Sequence, residues 1–233
     1  MKFLQERPAI RLLIMDLDGT LIDSKSDLSN SVNATLRYLG RKPLEDEKIY
    51  SYVGQGAPAL IRRALGDGFS TAEVARGLEF FLDYYNKHKL DHTRPYPGIP
   101  EALRKLANGA VCPERVLAVL TNKPVRPSRQ ILEGLGLLTY FRFVYGGNSF
   151  ENKKPDPVGV YRILEDTAIP PSAAMMVGDS DVDIQTGMNA GIWTCGVTYG
   201  FGNLNLETNP PDLLIEKFAQ LADVLGEDSF ASS

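Results

Sequence analysis

Apolar runs and helical patterns alternate along most of the chain. Apolar residues dominate five short segments, at residues 10–16, 116–121, 143–146, 173–179 and 191–197. Amphipathic helical patterns separate them, at residues 100–108, 128–135, 158–167 and 181–190. Short apolar runs bounded by turn residues are typical of buried strands, and their alternation with helices indicates β-α-β units. The pattern therefore predicts an α/β fold, with a Rossmann-like parallel sheet covered by helices on both faces.

One long segment interrupts this alternation, because its pattern predicts helices and no strand. The expected helices cover residues 24–40, residues 58–66 and residues 70 to about 87. A segment rich in proline, residues 93–98, then leads back to the predicted sheet. We therefore expect a core domain formed by residues 1–22 and 93–233, and a small all-helical domain formed by residues 23–92.

The composition is that of an ordinary folded protein and excludes several other classes. Hydrophobic residues make up 43% and charged residues 23% of the 233 residues, which excludes collagen-like and disordered chains. The net charge is −4 and no run of lysine or arginine occurs, so we expect no nucleic-acid partner. Two cysteines, Cys112 and Cys195, are too few for a disulfide framework or a four-thiolate zinc site. We expect both to be reduced core residues.

The first apolar run does not resemble a targeting signal. Arg11 and Asp16 interrupt it, so it is too short for a signal sequence and far too short to span a bilayer. No other stretch reaches the apolar length that a membrane span requires. We therefore expect a soluble, cytoplasmic protein with no membrane partner.

Polar side chains follow four of the predicted strands at the point where each strand ends. They are Asp16 and Asp18 after the first run, Thr121 and Asn122 after the second, Lys154 after the third, and Asp179 and Asp183 after the fourth. In open α/β sheets, ligands bind at this edge. Each segment alone has an ordinary structural interpretation, such as a turn or a helix cap. Their combined order and position favour one shared site.

The chemistry of such a site follows from its charges. Several carboxylates in one pocket repel one another, and Mg²⁺, which prefers oxygen ligands and substrate phosphates, relieves that repulsion. Lys154 supplies a compact positive charge that can contact a carboxylate and a phosphate together. The chain has no glycine-rich loop of the nucleoside-triphosphate-binding type. The set therefore fits phosphoryl transfer from a phosphate ester to an aspartate.

With DLDGTL at residues 16–21, Thr121-Asn122, Lys154-Pro155 and Gly178-Asp179 followed by Asp183, the chain resembles the haloacid dehalogenase superfamily of phosphatases. The resemblance covers about residues 10–225. It implies that Asp16 is the nucleophile that forms an aspartyl-phosphate and that Asp18 is the general acid and base. It also implies that Thr121 binds the phosphoryl group and that Lys154 balances charge.

The same resemblance implies a metal site and a lid. Mg²⁺ would be held by Asp16, by the main-chain carbonyl of Asp18 and by Asp179, with Asp183 holding a metal-bound water. The helical segment at residues 23–92 resembles the type-1 cap of the superfamily, which closes over the active site. The second aspartate of the first motif, Asp18, argues against the true dehalogenases, which lack it.

Within the superfamily, the chain is most similar to phosphoglycolate phosphatases. The similarity includes the segment VGQGA at residues 53–57, so Gly54, Gln55 and Gly56 are candidate substrate-binding residues. Asn122 is a further candidate, and Arg63 either lies on a solvated helix face or reaches a substrate carboxylate. The implied substrate is 2-phosphoglycolate or a similar small acid phosphate.

Other functions stay open from the sequence alone. A pyrophosphatase, a sugar-phosphate phosphatase or a phosphoglucomutase of the same superfamily would share the four motifs. A catalytically silent binding protein of the same fold is a more distant alternative. The expected partner is a small phosphoester, and the protein is expected to be a monomer or a homodimer. The sequence assigns no role to His88 and His92 beyond surface or hinge contacts.

Overall fold

A computed structural model describes residues 2–6, 8–107 and 115–226. Its eight strands are β1 (Leu12–Met15), β2 (Ile22–Asp23), β3 (Arg94–Pro95), β4 (Val116–Leu120), β5 (Phe143–Tyr145), β6 (Ala174–Gly178), β7 (Trp193–Val197) and β8 (Leu213–Ile215). Six of them form a parallel sheet in the order β5-β4-β1-β6-β7-β8. The short strands β2 and β3 pair antiparallel in a separate ribbon.

Strand β1 lies at the centre of the sheet, and both of its faces are buried. Leu12 pairs with Val116 of β4 on one side and with Ala174 of β6 on the other. Leu13 and Met15 belong to one hydrophobic cluster, and Leu12 and Ile14 belong to a second. This alternation follows from the two-residue period of a strand, and it explains why the sequence shows a continuous apolar run.

Helices cover both faces of the sheet. They are α1 (Lys2–Glu6), α6 (Ile99–Ala107), α7 (Val125–Gly134), α8 (Val158–Thr167), α9 (Asp181–Ala190) and α10 (Ala219–Val224). Leu103 of α6, Ile131 of α7 and Leu221 of α10 pack in the first cluster. Ile163 of α8 and Ala190 of α9 pack in the second. The predicted α/β fold with a Rossmann-like parallel sheet is confirmed.

The prediction missed several short elements. The five predicted strands correspond to β1 and β4–β7, and the four predicted helices of the sheet region correspond to α6–α9. The three-residue strand β8, the ribbon β2–β3 and the terminal helices α1 and α10 were not expected. Elements of two to six residues contain too few positions for a periodic pattern, so packing alone defines them.

Between β2 and β3 the chain forms four helices that pack on one another. They are α2 (Lys25–Tyr38), α3 (Asp46–Tyr50), α4 (Ala57–Leu65) and α5 (Thr71–His88). Helix α5 packs against both α2 and α4, and the five-residue helix α3 was not predicted. We call these helices and the turn between α3 and α4 the cap. The division of the chain at residues 22/23 and 92/93 stays a prediction.

A buried carboxylate joins the cap to the return segment. Asp27 of α2 is 1% exposed and accepts hydrogen bonds from the His92 N–H at 3.0 Å, the Thr93 N–H at 2.8 Å and the Thr93 hydroxyl at 2.7 Å. Burial raises the pKa of Asp27, but these hydrogen bonds outweigh it and hold the pKa below its ordinary value. His92 is thus a contact at the junction, whereas the half-buried His88 pairs with Asp91 at 2.8 Å.

Two expectations about the chain as a whole can be compared with the structure. Among the described residues, no helix combines the length and the apolar character needed to cross a bilayer. Cys195 is fully buried in β7, as expected for a core residue. Cys112 lies outside the described residues.

Candidate active site

Asp16 and Asp18 follow β1 at the carboxyl edge of the sheet. The Asp16 N–H still donates to the Val177 carbonyl of β6 at 3.0 Å, which extends the sheet pairing by one residue. The chain then turns at Gly19, whose φ of +86° favours glycine. A Cβ atom on Gly19 would overlap the Asp179 carboxylate. The glycine therefore allows the loop after β1 to lie directly against Asp179.

Three carboxylates meet where β1 and β6 end. One oxygen each of Asp16, Asp179 and Asp183 lies within 4.8 Å of the others. The Lys154 ammonium contacts two of these groups, at 2.9 Å from Asp16 Oδ1 and 2.6 Å from Asp183 Oδ1. Burial alone would lower the pKa of Lys154, but the Asp16 and Asp183 carboxylates outweigh that effect and raise it above its ordinary value. Lys154 therefore stays charged at this position.

Asp179 is held by three donors from two segments. Its Oδ1 accepts from the Thr20 hydroxyl at 3.2 Å, and its Oδ2 accepts from the Phe201 N–H at 3.1 Å and the Gly202 N–H at 2.6 Å. Burial, reinforced by Asp183 and Asp16, nevertheless raises the pKa of Asp179 to about 8. Burial and the two neighbouring carboxylates therefore disfavour the charged form of Asp179 despite its three hydrogen-bond donors.

Asp183 lies in the first turn of α9 and forms hydrogen bonds with Ser180, the residue that precedes this helix. Its Oδ2 accepts from the Ser180 hydroxyl at 2.6 Å and from the Ser180 N–H at 3.2 Å, which forms a capping box. The other oxygen faces Lys154. This capping box fixes the Asp183 side chain, so that its other oxygen, Oδ1, is left for the charge cluster.

Asp18 has a separate set of partners. The Lys123 ammonium lies 2.9 Å from both oxygens of its carboxylate, and the Ser24 hydroxyl donates to Oδ1 at 2.6 Å. Burial lowers the pKa of Lys123, but the Asp18 carboxylate outweighs burial and raises it overall. Asp16 differs, because burial raises its pKa to about 6 even though Lys154 opposes that effect. The two aspartates of the first motif therefore have different environments.

Thr121 and Asn122 follow β4, the neighbour of β1. The Thr121 oxygen accepts the Lys123 N–H at 3.3 Å, which leaves the Thr121 hydroxyl hydrogen for another acceptor. The Asn122 amide donates to the Gly54 carbonyl of the cap at 2.9 Å and to the Lys154 carbonyl at 3.1 Å. Asn122 thus links three segments of the site.

The cap closes over these side chains and leaves a cavity between cap and sheet edge. Asp16, Asp18, Thr121, Asn122, Lys123, Pro124 and Pro127 line it from below, and Leu28, Val53, Gly54, Gly56, Ala57, Leu60, Phe81, Leu82 and Tyr85 line it from the cap. The lining from the cap is predominantly apolar. The arrangement encloses the Asp16 carboxylate in a space of limited polarity.

The predicted cap residues divide into two groups. Gly54 and Gly56 line the cavity, with φ of +113° and +87°, and the turn leads directly into α4 at Ala57. Gln55 and Arg63 do not line it: both are exposed, and the Arg63 guanidinium donates to Gln55 Oε1 at 2.6 Å. The structure thus brings two of the four residues to the cavity.

Lys123, Ser24 and Tyr85 contribute to the site but were not predicted. Lys123 comes one residue after the Thr121-Asn122 pair, so its position beside a motif was an available signal. No such signal marks Ser24 and Tyr85, because a serine at the start of a helix and a tyrosine within a helix have common structural roles. Their place at the site depends on how the cap folds back onto the sheet.

Comparison with known proteins gives one family. The sequence profile described as "Haloacid dehalogenase-like hydrolase" matches residues 13–197. A protein named phosphoglycolate phosphatase from Pseudomonas fluorescens (strain Pf0-1) is 36% identical over 218 residues, which cover 91% of this chain and 78% of that protein. One of the same name from Vibrio vulnificus (strain CMCP6) is 36% identical over 225 residues, covering 93% of this chain and 96% of the relative.

Solved structures agree with the sequence comparison. The crystal structure of a predicted phosphoglycolate phosphatase from Haemophilus somnus 129pt superposes with a TM-score of 0.87 at 29% identity. The match covers 93% of this chain and 98% of that one. The resemblance inferred from the four short motifs is therefore confirmed, and the chain belongs to the haloacid dehalogenase-like hydrolase family.

Proposed function

We propose that the protein is a Mg²⁺-dependent phosphomonoester hydrolase that forms an aspartyl-phosphate on Asp16, and that its substrate is 2-phosphoglycolate or a similar small acid phosphate. The observation that carries the proposal is the position of the Asp16 carboxylate. It lines a capped cavity, contacts Lys154 at 2.9 Å and lies beside Asp179 and Asp183. The phosphatase names of the relatives support the same reaction class.

The acidic cluster fits a divalent cation. Its three carboxylates lie close together, and burial with the two neighbouring carboxylates raises the pKa of Asp179 to about 8, so a cation would favour its charged form. Oxygen ligands of this kind suit Mg²⁺. Asp16, Asp179 and the Asp18 main-chain carbonyl would hold the ion, and Asp183 would hold a water bound to it. When bound, the cation draws charge from the phosphate oxygens and reduces their repulsion from the carboxylates.

In the first step, the Asp16 carboxylate attacks phosphorus. The new bond joins Asp16 Oδ to phosphorus, and the bond from phosphorus to the ester oxygen breaks. Asp18 gives its proton to the leaving alkoxide, so the alcohol departs neutral. The Thr121 hydroxyl donates to a phosphoryl oxygen, where the charge of the transition state is spread, and the Lys154 ammonium beside Asp16 balances the negative charge.

In the second step, water releases the phosphate. Asp18, now a carboxylate, takes a proton from water as the water oxygen bonds to phosphorus and the bond to Asp16 breaks. This returns Asp16 to the carboxylate form and Asp18 to the acid form. The Ser24 hydroxyl and Lys123 hold the Asp18 carboxylate in position for this role. The closed cap limits the access of bulk water to the intermediate.

The lining of the cavity favours a small substrate. The side chains of Val53, Leu60 and Phe81 offer no hydrogen bonds from the cap to the hydroxyl groups of a sugar. A hexose phosphate would therefore leave its hydroxyl groups without partners, at a cost in binding free energy. Gly54, Gly56 and the first residue of α4, Ala57, also line the cavity, and the N-terminus of a helix favours an anion such as a carboxylate.

A phosphate-release assay tests the proposal. The panel contains 2-phosphoglycolate, pyrophosphate, hexose phosphates, nucleotides and an aryl phosphate, each assayed with excess chelator, with Mg²⁺ and with Ca²⁺. We expect turnover only with Mg²⁺, the highest kcat/KM for 2-phosphoglycolate, and little recovery with the larger Ca²⁺. Full activity in chelator would contradict the metal dependence, and a higher kcat/KM for pyrophosphate or a hexose phosphate would contradict the substrate class.

A further inference from the structure

Lys123 is the one cation among the described residues that lines the cavity under the cap. The remaining charged residues of the lining are Asp16 and Asp18, and the cap lining is predominantly apolar. A substrate with a second anionic group therefore has one cationic side chain to contact inside this space. Lys154 does not line this space, and its ammonium bridges Asp16 and Asp183.

The position of Lys123 is fixed by its surroundings. Its side chain is 7% exposed, its ammonium lies 2.9 Å from both Asp18 oxygens, and the centre of the Tyr85 ring is 4.6 Å away. A buried ammonium needs negative or aromatic partners, and here Asp18 and Tyr85 supply them. The ammonium thus lies between the first motif and a residue of the cap.

Tyr85 provides an independent observation. The residue is 4% exposed and lines the cavity; its hydroxyl oxygen lies near the Lys123 ammonium, which can only donate, so the hydroxyl hydrogen has no acceptor among the described residues. Buried hydroxyl groups in folded proteins nearly always have a hydrogen-bond partner. A carboxylate that enters the cavity beside Lys123 would accept this hydrogen bond and would also pair with the ammonium.

We propose that Lys123 and Tyr85 recognise a carboxylate on the leaving group of the substrate. The inference rests on the proposed phosphatase function and names the residues that select among its substrates. In a short acid phosphate, a single carbon separates the ester oxygen from the carboxylate, so the carboxylate must lie close to Asp18, which protonates that oxygen. Lys123 contacts Asp18 directly and is therefore in the right place.

Arg63 is the competing candidate for this role. Its guanidinium is exposed, donates to Gln55 Oε1 at 2.6 Å and to the Tyr52 carbonyl at 3.2 Å, and does not line the cavity. To reach a bound carboxylate, the side chain would have to leave both partners and enter from outside the closed cap. Lys123 needs no such movement.

The test compares two substrates that differ in the carboxylate alone. Ethyl phosphate has a methyl group where 2-phosphoglycolate has its carboxylate. We expect Lys123→Met to lower kcat/KM for 2-phosphoglycolate about tenfold to hundredfold more than for ethyl phosphate, mainly through KM. Tyr85→Phe should also lower kcat/KM for 2-phosphoglycolate more than for ethyl phosphate, but by a smaller factor. Lys123→Arg should retain part of the preference for 2-phosphoglycolate that Lys123→Met loses.

Arg126→Met is the matched control. It also removes one positive charge from the segment after β4, but Arg126 is exposed and does not line the cavity. We expect this variant to change kcat/KM for both substrates by the same factor. If Lys123→Met lowers kcat/KM equally for both substrates, the inference is overturned and Lys123 only positions Asp18. A selective loss in Arg63→Met, with none in Lys123→Met, would assign the carboxylate to Arg63.

Binding measurements separate recognition from chemistry. In an Asp16→Asn background, titration calorimetry should show 2-phosphoglycolate binding weakened about tenfold or more by Lys123→Met, and ethyl phosphate binding nearly unchanged. Unchanged 2-phosphoglycolate affinity would contradict the inference. If the wild-type protein hydrolyses ethyl phosphate and 2-phosphoglycolate equally well, the inference fails while the phosphatase function stands. If it hydrolyses no phosphoester at all, the proposed function fails as well.

Discussion

The side-chain amide of Asn122 donates a hydrogen bond to the Gly54 carbonyl at 2.9 Å, across the boundary between the sheet edge and the cap. The same amide donates to the Lys154 carbonyl at 3.1 Å. One residue therefore connects the turn of the cap to the loop that carries the lysine of the charge cluster. This contact is a direct physical link between cap closure and the active site.

Asn122→Ala should weaken cap closure without unfolding the protein. Loss of a neutral hydrogen bond of this kind corresponds to about a two- to tenfold rise in KM. Hydrogen–deuterium exchange of residues 53–57 should become faster. Asn148→Ala is the control, because the Asn148 side chain accepts from the Val125 N–H after the same strand and does not touch the cap. Unchanged exchange at residues 53–57 in Asn122→Ala would show that the hydrogen bond does not hold the turn.

Gly19→Ala should abolish most of the activity by displacing Asp179. The added Cβ would overlap the Asp179 carboxylate, and displacement of a catalytic group by about 1 Å can cost on the order of a hundredfold in rate. Gly40→Ala is a matched control, because Gly40 has a φ of +70° but open space around it. Both variants should lose about 1–2 kcal/mol of stability from backbone strain. Only Gly19→Ala should lose activity, and comparable activity in both variants would contradict this assignment.

Asp27 should make the stability of the protein depend on pH. Its folded pKa lies below the ordinary value because Thr93 and His92 donate to the carboxylate despite its burial. The carboxylate therefore stabilises the fold at pH values above the unfolded pKa of about 4. That contribution is lost as the pH falls through the folded pKa, where the native carboxylate becomes protonated.

Asp27→Asn should accordingly lose about 1.5–3 kcal/mol of unfolding free energy near pH 7, and the difference from wild type should shrink as the pH drops below about 4. Denaturant unfolding at a series of pH values measures this. Asp83→Asn is the control, since Asp83 is an exposed acid paired with Lys87 on α5 and its loss should cost under about 0.5 kcal/mol. A difference that is constant between pH 7 and pH 3 would rule out the linkage.

The parts of the site that the sequence predicts are those that follow directly from strand ends. Asp16 and Asp179 each come at the end of an apolar run, and parallel strands place their carboxyl ends along one edge. The contact between Asp18 and Lys123 joins residues 105 positions apart and depends on β4 lying next to β1. Strand order was not part of the prediction, so this pairing could not be derived.

The cap is where prediction from sequence is weakest. The pattern identified α2, α4 and α5, but the direction in which each side chain points depends on how they pack. Arg63 carries charge in a plausible segment, yet the fold turns it outward to Gln55. Tyr85 has the ordinary pattern of a helix core position, yet its ring lies over the Lys123 ammonium. The positions of the cap side chains therefore required the structure, whereas the reaction class did not.

The two aspartates of the first motif should separate the two chemical steps. Asp18→Asn should lower kcat for 2-phosphoglycolate about 10²–10⁴-fold, because the alkoxide leaving group needs its proton. An aryl phosphate has a better leaving group, so the substitution should slow formation of the aspartyl-phosphate less than its hydrolysis. With an aryl phosphate, the Asp18→Asn variant should therefore accumulate in the form phosphorylated on Asp16. Accumulation that matches wild type would argue against Asp18 as the base.

The most direct test of the account is to trap the covalent intermediate. Wild-type protein is mixed with 2-phosphoglycolate and Mg²⁺, quenched with acid within the first turnover, digested and analysed by peptide mass spectrometry. The account predicts a phosphoryl group on Asp16, its absence in Asp16→Asn and its loss after hydroxylamine treatment. A turnover that leaves no phosphorylated residue, or a phosphoryl group on Asp18 or elsewhere, would contradict it.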